Sequence, residues 1–250
     1  MKNTKIDWCD ATWNPVTGCR HGCEYCYARK IAERFGNPTR DGIYEFYEEC
    51  RKDRGSVQPY PNGFSPTFHR YRLGIPKEWH KPRVIFVCSM ADLFGDWVPL
   101  AWIRKVFDTC KAAPWHRYLF LTKNPKRYLQ LADMGYLPQE PNFYYGTSVT
   151  SPDQDYFWAD NYNTFLSVEP ILEAFPEVYG DVVATNWVIV GAETGNRKDK
   201  VVPQKDWIDN IVKSCQKNNI PVFLKSSLAG IMQEELLQQY PWEGANEQNS

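Results

Sequence analysis

The sequence predicts an α/β protein whose parallel sheet closes, completely or in part, into a βα barrel. Three observations carry this. Short apolar runs recur at 84–88, 118–121, 143–149, 164–168, 187–190 and 222–225 of the 250 residues. They are near-continuous rather than alternating, as strands covered on both faces are. Amphipathic helical stripes lie between some of them, and strands alternating with helices build parallel sheets. Roughly six or seven such strands suit a barrel better than an open sheet.

Taken in order, the first helix is expected to start at Tyr25 and to run through Ala28, Ile31, Ala32 and Phe35 until Gly36 ends it. Two more stripes are clear: Trp102, Ile103, Val106, Phe107 and Cys110, then Trp207, Ile208, Ile211, Val212 and Cys215. Residues 37–83 break the pattern, being rich in Pro, Gly, Tyr and charge. They read as an insertion in a single barrel domain spanning 1–243, followed by a polar tail at 244–250. The insertion carries Tyr44, Phe46, Tyr47, Tyr60, Phe64, His69 and Arg70, and such interleaved aromatics and bases suit a lid over a flat ligand.

Composition narrows the partners. Lys and Arg total 29 against 30 Asp and Glu, so there is no basic excess for gripping a long nucleic acid. No run of eighteen apolar residues is present, which argues against a membrane span, and the N-terminus lacks the features of a secretory signal. A cytoplasmic location is expected. In a reducing compartment, clustered cysteines are metal ligands more often than bridges.

The cluster is CRHGCEYC at 19–26. Cys19, Cys23 and Cys26 give three thiolates on one turn, and Gly18 and Gly22 let the backbone bend around an inorganic core. Three ligands on a four-iron cluster leave one iron open, as a cluster needs if it is to bind a cofactor. The alternative is a zinc site in a non-catalytic binding protein, with His21 as fourth ligand.

The C-x3-C-x2-C spacing, with Tyr25 before the last cysteine, resembles the signature of the radical S-adenosylmethionine (SAM) superfamily. The resemblance implies a radical SAM type of barrel, a 4Fe–4S cluster on Cys19, Cys23 and Cys26, and SAM as second cofactor. It also implies reductive cleavage of SAM to a 5′-deoxyadenosyl radical, with the electron from an external donor such as flavodoxin or ferredoxin. The segments WNPVTGC (13–19), SMADLF (89–94), FLTK (120–123), FLSVEP (165–170) and VIVGAE (188–193) resemble a radical SAM-like family of phages and bacteria. Many of its members have a longer stretch between the first two cysteines. That family is similar to queuine lyases, which implies a small base-like substrate: queuine, cleaved at a C–N bond to 7-aminomethyl-7-deazaguanine. A base within tRNA or DNA is the rival substrate.

Function in a βα barrel sits at the C-terminal ends of the strands, and each strand here ends in polar residues: Ser89 and Asp92, Thr122 and Lys123, Thr147 and Ser148, Ser167 and Glu169, Glu193 and Thr194, Lys225 and Ser226. By resemblance, Tyr25 belongs to the cofactor site, Ser89 to Asp92 meet the amino group of SAM, Ser148, Ser167 and Glu169 its ribose, and Gly191 its adenine. For a deazaguanine, Glu193 or Glu169 would accept its paired N–H donors, Trp13 would stack on the ring and Asn14 would read another edge. Lys123 and Lys225 would hold the SAM carboxylate or a substrate anion. No side chain is singled out as catalytic.

Overall fold

A computed structural model describes residues 4–51, 55–176 and 184–243, so the tail expected at 244–250 lies outside the described residues. The chain divides into two compact units, 1–143 and 144–250.

The first unit is built on three parallel strands, β1 (Ala11–Trp13), β5 (Val84–Val87) and β6 (Arg117–Thr122), with β5 between the other two. Register pairs Trp13 with Val87 and Val87 with Phe120. Helix α3 (Leu100–Lys111) turns Trp102, Ile103, Val106, Phe107 and Cys110 inward, the stripe its sequence spells. Rings dominate this core: Phe107 lies 5.3 Å from Phe120 and 6.2 Å from Phe143, and Phe94 lies 4.5 Å from Tyr128 of α4 (Pro125–Asp133). Each such buried ring contributes about 1.5–3 kcal/mol over an exposed one.

Helix α1 (Tyr27–Phe35) starts two residues later than its stripe suggests, because Cys26 caps it: the Arg29 N–H donates to the Cys26 sulfur at 3.4 Å. It stops where the Gly36 N–H closes on the Ala32 carbonyl at 2.7 Å.

The 37–83 segment is not a simple lid. It supplies β3 (Tyr44–Phe46) and β4 (Thr67–His69), which join β2 (Val16–Thr17) in a three-stranded sheet ordered β2-β4-β3. It also supplies the one-turn helix α2 (Ile75–Glu78). Phe64 and His69, expected over a ligand, are buried. The His69 Nε2 pairs with the Thr17 hydroxyl at 2.9 Å, and Arg70 forms an ion pair with Glu45. Tyr47 stays exposed, beneath the Arg70 guanidinium at 4.6 Å.

The second unit carries β7 (Phe143–Val149), β8 (Asn163–Val168), β9 (Val188–Val190) and β10 (Val222–Leu224), paired in parallel in chain order. One face is apolar: Val149, Leu166, Val168, Val188, Val190, Val222 and Leu224 pack with Ile208, Ile211 and Cys215 of α5 (Lys205–Lys217). After β10 comes the short helix α6 (Ala229–Met232). The strand order β1-β5-β6-β7-β8-β9-β10 is linear, with β1 and β10 at its ends, which makes the fold a partial parallel α/β barrel.

Candidate functional site

In the first unit the cysteine loop follows β2. Gly18 has φ +87°, and a Cβ there would lie 2.2 Å from the Ser65 carbonyl oxygen, so only glycine fits. Its N–H donates to the Met90 carbonyl (2.9 Å), and the Cys19 N–H donates to Phe64 (3.2 Å). These bonds fix where the loop begins. All eight cysteines are free thiols. Cys19 and Cys26 pack beside Phe64, Met90, Ala28 and Ala32. Burial pushes the Cys19 thiol up to about 12, with the nearby Asp92, Cys26 and Cys23 adding to the rise. A thiolate there therefore needs a cation to hold it.

The donor set fits an iron–sulfur cluster. Three thiols on one short loop provide sulfur ligands for three irons and none for a fourth. Among the described residues no three His, Cys, Asp or Glu side chains are gathered to hold one metal ion. His21, the fourth ligand of the zinc alternative, instead engages Asp92, with Nε2 2.7 Å from Oδ2.

Asp92, expected at the amino group of SAM, is taken up by protein. Its oxygens accept from the Phe94 N–H (2.9 Å), the Lys123 N–H (2.9 Å) and the Thr122 hydroxyl (2.8 and 2.9 Å), besides facing His21. It is 5% exposed, so these donors offset its burial. Asn14, partly buried, is likewise engaged by protein: its Oδ1 accepts from the Met90 N–H (2.9 Å) and the Ser89 hydroxyl (3.2 Å). The Ser89 carbonyl accepts from the Tyr27 hydroxyl at 2.6 Å. Trp13 is 1% exposed and donates its ring N–H to the Arg72 carbonyl at 2.8 Å, which places it in the core rather than in a stack on a ligand. The Lys123 ammonium sits 5.3 Å from the Tyr25 ring, so those two predicted residues do meet.

The second unit brings five predicted residues to one face. With Leu166 and Val168 turned to the apolar side, the two-residue period turns Ser167 and Glu169 the other way. Register aligns Ser148 with Ser167. Gly191 and Lys225 follow β9 and β10 by one residue, and the ladder continues through them, Gly191 N–H to Val168 O (3.0 Å) and Lys225 N–H to Val190 O (2.9 Å). Lys225 forms an ion pair with Glu169, and a Cβ at Gly191 would lie 2.9 Å from Cδ of Lys225 and 3.3 Å from the Glu169 carboxyl carbon. The Ser148 hydroxyl donates to the Glu169 carbonyl (3.3 Å). The Ser167 hydroxyl is fully buried and has no protein partner.

Glu193, expected to read paired N–H donors of a base, is occupied. Arg197 takes both its oxygens at 2.8 Å, through Nε and Nη2. A carboxylate with a 2% exposed side chain requires such a partner, and an arginine close by in the same loop was the only sequence hint of it. Arg72, which holds the Asn14 carbonyl at 2.9 Å, had no comparable signal across 58 residues.

The fold is a partial parallel α/β barrel that carries a loop of three cysteines. Three similar solved structures are of spore photoproduct lyase. The lyase complexed with dinucleoside spore photoproduct has a TM-score of 0.51 at 11% identity, over 88% of this chain and 78% of that chain. A single mutant with the same dinucleoside gives 0.50 at 11%, over 88% and 78%. A double mutant with bound AdoMet and the dinucleoside gives 0.50 at 10%, over 88% and 78%. The chain itself belongs to the family described as protein of unknown function (DUF5131), whose model matches residues 3–239. No curated protein sequence matches it. Among the described residues no helix is long and apolar enough to cross a membrane.

Proposed function

We propose that this chain is a radical SAM enzyme acting on a nucleobase-like ring. The observation that carries the reading is the loop of three free thiols, Cys19, Cys23 and Cys26, next to the strands of a partial parallel barrel. When bound, a 4Fe–4S cluster there would supply the electron that cleaves SAM reductively, itself drawn from an external one-electron donor such as flavodoxin or ferredoxin.

The chain's own residues do the rest. Gly18 and the Met90 and Phe64 carbonyls set the loop, while Asp92 orients His21 within it. The polar face of the second unit suits SAM chemically. The partly buried Ser148 hydroxyl is the one of the aligned Ser148–Ser167 pair that a ribose can reach, and the Glu169–Lys225 pair offers an acceptor and a cation. Gly191 leaves room for the Glu169 and Lys225 side chains to meet, which a Cβ would crowd.

Support for a base as substrate comes from spore photoproduct lyase, whose structures hold a dinucleoside photoproduct and AdoMet. Queuine, cleaved to 7-aminomethyl-7-deazaguanine, is the finest form of the proposal, and a base within DNA or tRNA is its rival. Reconstituted protein would be incubated anaerobically with SAM, dithionite and either queuine or dinucleoside spore photoproduct, then analysed by mass spectrometry. The queuine proposal predicts 5′-deoxyadenosine together with 7-aminomethyl-7-deazaguanine. Deoxyadenosine with unchanged queuine would discard queuine, and no deoxyadenosine from a loaded cluster would discard the enzyme.

A further inference from the structure

We propose that His21 and Asp92 form a clasp that sets the reduction potential of the cluster held by Cys19, Cys23 and Cys26. This rests on the radical SAM reading and assigns two residues a positioning role within it.

Three connected observations lead there. His21 lies between two of the expected ligands, two residues from Cys19 and two from Cys23, so its side chain acts on the loop that would hold the cluster. Hydrogen bonds to ligating sulfurs and nearby charge are the main protein levers on an iron–sulfur potential. The segment bearing His21 is bracketed by Gly18 and Gly22, at φ +87° and +72°, so its own backbone does little to immobilise it.

The His21 ring provides the missing restraint. Its Nε2 meets Asp92 Oδ2 at 2.7 Å, and it lies edge-on to Trp97 with centroids 4.9 Å apart. Asp92 is in turn rigid, because the Phe94 N–H, the Lys123 N–H and the Thr122 hydroxyl all donate to it. The clasp thus ties the cysteine loop to the end of β6 and the turn after β5, across 71 residues. It has an electrostatic side as well. The Asp92 carboxylate lies within hydrogen-bond reach of the cysteine loop, and the His21 ring covers it. Removing the ring uncovers that negative charge beside the loop. The change disfavours the reduced cluster, which has gained one electron from an external one-electron reductant and no proton.

His21 is partly exposed, so its replacement spares the core. The test is a potentiometric titration, followed by electron paramagnetic resonance, of reconstituted wild type, His21→Ala and His21→Gln. Iron and sulfide content and thermal melting are measured on each. Glutamine has similar reach and donates to Asp92. The expected result is equal iron loading in all three, a more negative potential in His21→Ala, and recovery of at least half the shift in His21→Gln. Thr122→Val, which frees Asp92 from one donor, should shift the potential in the same direction. An unshifted His21→Ala, or a His21→Gln as far displaced as the alanine variant, would overturn the clasp while leaving the enzyme reading intact. A wild type that takes up no iron–sulfur cluster would overturn both.

Discussion

Replacing Gly18 by alanine tests whether the cysteine loop is positioned by steric closeness to the small sheet's connecting segment. At φ +87° an L-residue carries a left-handed penalty of about 1–2 kcal/mol. The new Cβ would also lie 2.2 Å from the Ser65 oxygen, 2.4 Å from the Ser65 carbonyl carbon and 2.7 Å from the Phe64 oxygen. All three are backbone atoms, so no side chain can rotate away. Relieving that overlap costs about 1–3 kcal/mol, for a total of about 2–5 kcal/mol. Gly22→Ala is the internal control: its φ is +72°, but nothing lies within 4 Å of the added Cβ. It should cost about 1–2 kcal/mol from backbone strain alone. Urea denaturation of metal-free protein gives both values from the shift in midpoint at constant slope. Equal losses in the two variants, or a Gly18→Ala loss under about 1 kcal/mol, would refute the packing argument. Because the Gly18 and Cys19 N–H groups are bonded to Met90 and Phe64, Gly18→Ala should also slow cluster assembly more than Gly22→Ala.

Further outcomes follow from the same geometry. Cys23→Ala should leave stability within about 0.5 kcal/mol, since Cys23 is only partly buried, yet abolish iron uptake measured after anaerobic reconstitution. Trp13→Phe removes the donor to the Arg72 carbonyl and should destabilise the fold by about 1–3 kcal/mol, with no change in substrate affinity by equilibrium binding. Arg197→Met strands the buried Glu193 carboxylate; a loss of about 2 kcal/mol or more in urea melts is expected, whereas a loss confined to substrate binding would return Glu193 to the ligand. Burial lowers the His69 pKa from 6.5 to about 3, so the unfolded chain takes up a proton over that interval and the native one does not. Stability is therefore intact above pH 6.5 and falls by up to about 1.4 kcal/mol per pH unit between there and pH 3. Denaturation midpoints at pH 7, 5.5 and 4 should show this slope shrinking in His69→Asn.

What the sequence made legible was periodicity and spacing. The apolar runs gave β5 to β10, and the polar residues that end them, Ser148, Ser167 and Glu169 among them, were legible as strand ends; the structure sets these three opposite the α5 face. The helical stripes of α3 and α5 were equally plain, because burial acts on every third or fourth residue regardless of partner. Tertiary partnering was not legible. Asn14 and Trp13 looked like ligand-reading residues, yet Asn14 bonds to residues 75 and 76 positions away, and Trp13 to one 59 away. The strands Tyr44–Phe46 and Thr67–His69 were missed since three residues are too few to show a period, and β4 takes its order from pairing with β2 and β3. Cys26 was read as a ligand and is also a helix cap, a role its thiol performs in place of the usual oxygen.

The most direct test of the central claim is low-temperature electron paramagnetic resonance of anaerobically reconstituted, dithionite-reduced protein with and without SAM. The account predicts about four irons and four sulfides per chain, a reduced-cluster signal that changes when SAM is added, and loss of both in Cys23→Ala. A colourless protein holding stoichiometric zinc, or a cluster signal indifferent to SAM, would contradict it.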